Sequence, residues 1–184
     1  MPVQIGARSH AFTEPLGLLS DCHRRIEMFL GSLSAIANLS GQPLNDEGRR
    51  ALDNALRYFR EAAPKHTADE EVSLFPRLRQ LQFDESESVF SRMDELENDH
   101  QWAESLHTEV DRLGKNYLSA GILQEKDAAE FLKAVEALVD MYQRHIALED
   151  ESLFPLAAKI LSKEDKLTIA KEMAQRRAKH FNQM

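Results

Sequence analysis

Four stretches of this chain space their apolar residues three and four apart, and a histidine breaks each stripe. The first stripe reads Leu16, Leu19, His23, Ile26, Leu30, Leu33, and the second Leu52, Leu56, Phe59, Ala63, His66, Glu70. The third reads Val89, Met93, Leu96, His100, Ala103, His107, Val110, and the fourth Phe131, Val135, Leu138, Tyr142, His145, Glu149. Such spacing is the inward seam of helices packed in a bundle. No segment alternates with period two over a useful length, so strands are not expected. Short connections make consecutive helices antiparallel neighbours. The predicted fold is therefore all-α: an up-down-up-down four-helix bundle with an extra short C-terminal helix.

Punctuation sets the predicted boundaries. Thr13 can cap a first helix that has Pro15 in its first turn and ends near Asn38, before Ser40-Gly41-Gln42-Pro43. Asn45 can cap a second, which runs to about Gln80 and contains Pro64 and Pro76. Asp84 or Ser86 opens a third that ends near Tyr117. Asp127 begins a fourth that reaches about Ile160, with Pro155 near its end. Ser162 and Asp165 resemble a capping box for a last helix to about Lys179. The bundle domain is placed at 14–160, and the C-terminal helix and tail at 161–184.

With 42% hydrophobic and 29% charged residues, the chain matches a globular domain rather than a disordered one. Its net charge of −8 argues against nucleic-acid and anionic-membrane partners. Cys22 is the single cysteine, so neither an intrachain disulfide nor a cysteine-based metal motif is expected. No signal-peptide h-region or membrane span is read, and a cytoplasmic location is expected.

The seams also carry chemistry. One histidine on such a face is ordinarily a hydrogen-bonded core residue. Four histidines joined by two glutamates need a common explanation, because a buried unpaired carboxylate costs several kcal/mol or becomes neutral. A bound cation provides one. His66 and Glu70 are four apart, as are His145 and Glu149, which puts each pair on one helix face, about 6 Å apart along the axis.

The two segments repeat. HTADEEVSLFP (66–76) and HIALEDESLFP (145–155) match at His, Ala, Glu, Ser, Leu, Phe and Pro. His23 precedes His66 by 43 residues, and His100 precedes His145 by 45. Each half thus offers one lone His and one His-x-x-x-Glu. Four His and two Glu at one level suit two metal ions that share the two carboxylates, with His23 and His66 on one ion and His100 and His145 on the other. Imidazole and carboxylate donors suit Fe, Mn, Zn and Cu alike.

This pattern resembles the hemerythrin-like, or HHE cation-binding, family over about residues 14–160. The resemblance implies a cofactor of two non-haem iron ions, carboxylate-bridged and oxo- or hydroxo-bridged. His23, His66, His100 and His145 would be terminal ligands, and Glu70 and Glu149 would bridge. Oxygen-carrying members have a fifth His where this chain has Glu104. The ligand set is more similar to the di-iron domain of proteins that repair iron centres after nitric oxide or peroxide damage; the small N-terminal domain with adjacent cysteines that those proteins carry is not expected here, since Cys22 is the single cysteine. The resemblance implies a reaction with, or response to, a small oxidant (NO, peroxide or O₂) or iron handling, in a setting of oxidative or nitrosative stress. The expected partners are a small diatomic or peroxide ligand and a redox or iron-receiving protein. The alternatives are a non-catalytic O₂- or iron-sensing or storage module and a bundle with a structural metal.

Other residues carry weaker expectations. Glu27 and Glu104 each follow a candidate ligand by four residues and are either auxiliary groups or solvated carboxylates. His107 lies one heptad beyond His100, about 10.5 Å away, too far for the same ion. It and Tyr142 are read as lining a chamber with Ala63 and Ala103, from which an external ligand would approach, and His107 as titrating near neutral pH. Cys22 is read as a small buried hydrophobe, and Phe75 and Phe154 as packing residues beside helix-distorting prolines. His10 and His180 are expected to be exposed. The basic residues after Lys159 are read as complementing a helix C-terminus.

Overall fold

The computed structural model describes residues 10, 13–84 and 86–178. Its elements are α1 (Pro15–Ala37), α2 (Asp46–Glu61), α3 (Ala63–Ala68), the π-helical turn π1 (Asp69–Leu74), α4 (Phe75–Arg79), α5 (Ser86–Ala120), α6 (Glu125–Leu148), the π-helical turn π2 (Glu149–Leu153), α7 (Phe154–Ile160) and α8 (Lys163–Ala178). The fold is the all-α, four-legged bundle that the seams require, with a shorter fifth helix at the end. The described residues include no strand. Among them, no helix is long and apolar enough to cross a membrane.

Two caps act where predicted. The Asn45 side chain accepts the Gly48 N–H at 2.7 Å. The Ser162 hydroxyl accepts the Asp165 N–H at 3.0 Å and donates to its carboxylate at 2.6 Å. Two ends differ from expectation. α5 runs three residues past Tyr117, to Ala120, and is followed by Gly121, whose φ of 77° suits a residue without a Cβ. α6 starts at Glu125 rather than Asp127, because Glu125 and Asp127 both fit its first turn and complement its dipole.

The second leg is not one uninterrupted helix. α2 stops at Glu61, and the chain re-enters helix at Ala63, just before Pro64, which has no N–H to donate. Pro76 and Pro155 do more than distort a helix end. Each lacks the N–H that would bond four residues back, and its ring crowds that carbonyl. The backbone widens just ahead of each: the Phe75 N–H donates to the Glu70 carbonyl and the Phe154 N–H to the Glu149 carbonyl, five residues back.

The chain forms two compact units. One takes in the chain up to Arg25, Pro64–Glu97 and the segment from Ile146; the other is Ile26–Ala63 with Asn98–His145. In the first, Leu19, Leu74, Phe75, Leu96 and Met93 form a core that Ile169 and Met173 of α8 join. In the second, Leu33, Leu52, Leu113, Phe131 and Val135 are fully buried. Each such side chain contributes about 1.5–3 kcal/mol. Gly114 lets α5 approach α2 closely, since a Cβ there would meet a Leu56 methyl at 2.7 Å. The loops of this unit are tied by Tyr117, whose hydroxyl lies 3.0 and 2.9 Å from the carbonyls of Leu39 and Gln42, and by the Leu44 N–H donating to Gly121 at 2.7 Å.

Candidate metal centre

α1 carries His23, α3 His66, α5 His100 and α6 His145, while Glu70 and Glu149 stand at the start of π1 and π2. Both glutamates are 0% exposed, and His23 and His145 are 1% and 2% exposed. The structure brings all six together in two sets. Donor atoms of His23, His66, Glu70 and Glu149 lie within 4.8 Å of one another, and so do those of Glu70, His100, His145 and Glu149. Glu70 and Glu149 belong to both.

The contacts within the sets are close. His23 Nε2 lies 3.1 Å from Glu149 and 3.9 Å from Glu70, and His66 Nε2 lies 3.1 Å from Glu70. His100 Nε2 and His145 Nε2 are 3.1 Å apart. Two carboxylates out of water favour any positive charge placed between them. His23 registers that field: burial works against its charged form, yet Asp150, Glu149 and Glu70 together raise its pKa well above the ordinary value. A divalent cation satisfies the same field, and imidazole nitrogen with carboxylate oxygen is a donor set that iron accepts. The six residues therefore fit a bound cation, with iron among the metals their donors accept.

Further side chains orient the histidines. His23 Nδ1 lies 3.1 Å from Asp150, whose other oxygen accepts the Ser20 hydroxyl at 2.6 Å. Burial raises the Asp150 pKa, but the His23 and Ser20 contacts outweigh it and hold the carboxyl below its usual range. His145 Nδ1 lies 3.5 Å from Asp99. Phe154 stacks on the His23 ring at 5.3 Å, so this packing residue also covers a candidate ligand. Sequence reasoning missed Asp99 and Asp150 because they stand one position off the seam, next to His100 and Glu149. Adjacency to a candidate ligand was the available signal.

His107 and Tyr142 meet in the Asn98–His145 segment, with His107 Nε2 3.0 Å from the Tyr142 hydroxyl. Phe59 stacks on His107 at 4.5 Å, and Tyr142 meets His145 edge-on at 6.1 Å. Ala63 and Ala103 are buried. The expectation that His107 titrates near neutral pH is corrected: burial pushes its pKa down to about 4, so the ring is neutral at physiological pH.

Glu27 and Glu104 are exposed and belong to neither donor set. Cys22 is buried but polar in its contacts, accepting a hydrogen bond from Arg25 at 2.9 Å, because Arg25 lies one helical turn on. His10 is half-exposed rather than free in solvent, since its ring and N–H both reach Asp21. His180 lies outside the described residues. Of the C-terminal cations, Arg176 and Arg177 pair with Asp69 at 2.6 Å each instead of merely complementing the helix end.

The family model of the hemerythrin HHE cation binding domain matches residues 14–157. A protein of Haemophilus influenzae (strain ATCC 51907 / DSM 11121 / KW20 / Rd), described as uncharacterized, is 30% identical over 167 residues, covering 90% of this chain and 91% of its own length.

Proposed function

This chain belongs to the hemerythrin HHE cation-binding family, and from that premise we propose that it binds two non-haem iron ions and uses them to react with, or respond to, a small oxidant. The observation that carries the reading is the pair of donor sets sharing Glu70 and Glu149. In this reading His23 and His66 would hold one ion, His100 and His145 the other, and Glu70 and Glu149 would serve both. The pair of irons, when bound, supplies redox chemistry and open coordination positions for NO, peroxide or O₂.

The protein's own part is to orient and exclude. When His23 carries one proton, Asp150 holds it on Nδ1 and leaves the Nε2 lone pair facing the glutamates. Phe154 shields that ring from water. Ala63 and Ala103, both small and buried, mark the side where His107 and Tyr142, hydrogen-bonded to each other, would meet an incoming ligand. Exposed Glu104 stands where the oxygen carriers have their fifth histidine, which favours chemistry on NO or peroxide over reversible O₂ carriage. An electron donor or iron-receiving protein would complete the cycle.

Spectra of the reduced, iron-loaded protein exposed separately to NO, peroxide and O₂ test this reading. Consumption of NO or peroxide over repeated cycles is the expected result. A stable, reversible oxygen adduct with no turnover would mean a sensing or storage module instead.

A further inference from the structure

Asp69 is 0% exposed and directly precedes Glu70. A carboxylate so deeply buried must be matched by charge. Arg176 reaches one of its oxygens and Arg177 the other, both at 2.6 Å. Arg176 also donates to the Ser73 hydroxyl at 2.5 Å. Arg77 donates to the Ser73 carbonyl at 2.7 Å and grips Glu172 of α8 through two contacts of 2.9 and 3.1 Å. Burial works against the charge on Arg177, yet Asp69 holds its pKa above the ordinary value. α8 therefore grips π1 at Asp69 and at Ser73, one turn apart, with Glu70 between them.

This grip is peculiar to one half of the repeat. Aligned on their His-x-x-x-Glu elements, the segments place Leu148 where the first has Asp69. α8 also begins at Lys163, beyond residue 157, where the family match ends. A π-helical turn is a rare conformation, frequently found at functional sites. This one is held from outside by a helix that the family domain does not include.

We propose that Arg176 and Arg177 are positioning residues for the metal centre: through Asp69 they latch π1 so that the Glu70 carboxylate faces both ions. The inference rests on the metal-binding reading above. Because Glu70 is common to both donor sets, release of the latch weakens both ions together. The expected loss is roughly 10–100-fold in metal affinity, the usual scale for groups that orient a ligand.

The test uses the full chain and cobalt(II) as the probe, with affinity measured by chelator competition and the visible spectrum of the saturated protein recorded alongside helix content. In Arg176→Gln/Arg177→Gln, the expected result is a 10–100-fold loss of affinity and an altered cobalt spectrum at a temperature where helix content matches the parent. A milder variant, Arg177→Lys, keeps the charge and the fold but loses the guanidinium fork, and is expected to lie between the two. A purely structural helix would lower the melting temperature and leave affinity and spectrum unchanged, which would overturn the latch. Failure of the parent protein to bind cobalt or iron would overturn the metal-binding reading itself. Parent-like affinity and spectrum in both variants, beside a parent that binds two ions, would overturn the latch alone.

Discussion

His23 faces Asp150 across 3.1 Å on its Nδ1 side, which leaves its Nε2 3.1 Å from Glu149. Asp150 is itself fixed by the Ser20 hydroxyl. The expected consequence is that Asp150→Asn weakens metal binding roughly 10–100-fold, more at the His23–His66 set than at the other. His23→Ala should be biased in the same direction and more severe. Stepwise metal titration checks both, and equal losses at the two sets would count against the assignment of His23 to one ion.

Metal should stabilise the fold. Two carboxylates with no exposure repel each other in a dry interior, and a cation between them relieves that cost. Binding to the native state alone adds about 2.7 kcal/mol when free metal is 100 times its Kd. Thermal unfolding should therefore move upward with iron and back with a chelator. Identical melting temperatures for the apo and loaded protein would contradict this.

The pH dependence of stability follows from His107. Its native pKa of about 4 lies below the ordinary 6.5, so the unfolded chain binds the proton more readily. Stability contributed by the neutral ring is complete above about pH 6.5 and is lost as pH falls toward 4. Denaturant midpoints at pH 7 and pH 5 should therefore differ less in His107→Phe than in the parent. An equal or larger difference in the variant would show that His107 is not the group responsible. Iron content should be unchanged in His107→Phe.

Filling the small-residue side should slow ligand entry. Ala63 and Ala103 are buried in the same unit as His107 and Tyr142. Leucine at either position is expected to slow azide or NO binding to the loaded protein while iron stays near two per chain. Unchanged binding rates would place the entry route elsewhere.

The sequence made most of this architecture legible because seam periodicity and two matching segments each encode position directly. All of the second and fourth stripes are buried, from Leu52 to Glu70 and from Phe131 to Glu149. The π-helical turns were less legible: Pro76 and Pro155 announce a disturbance, but whether a helix kinks, ends or widens depends on what packs around it. Asp99 and Asp150 escaped because periodicity reports the seam and says nothing of residues one step off it. Asp69 had a signal in the repeat, where the other copy holds Leu148, but its arginine partners lie more than a hundred residues along the chain, at 176 and 177. Long-range ion pairs leave no local pattern. The shift of His107 arises from tertiary burial, which its spacing alone does not measure.

The most direct measurement is iron stoichiometry in the parent protein and in the Glu70→Ala/Glu149→Ala double variant, each loaded under identical conditions and freed of loosely held metal. Because the two glutamates are the residues common to both donor sets, the account predicts two irons per chain in the parent and almost none in the variant. Two full equivalents retained by the double variant would contradict it.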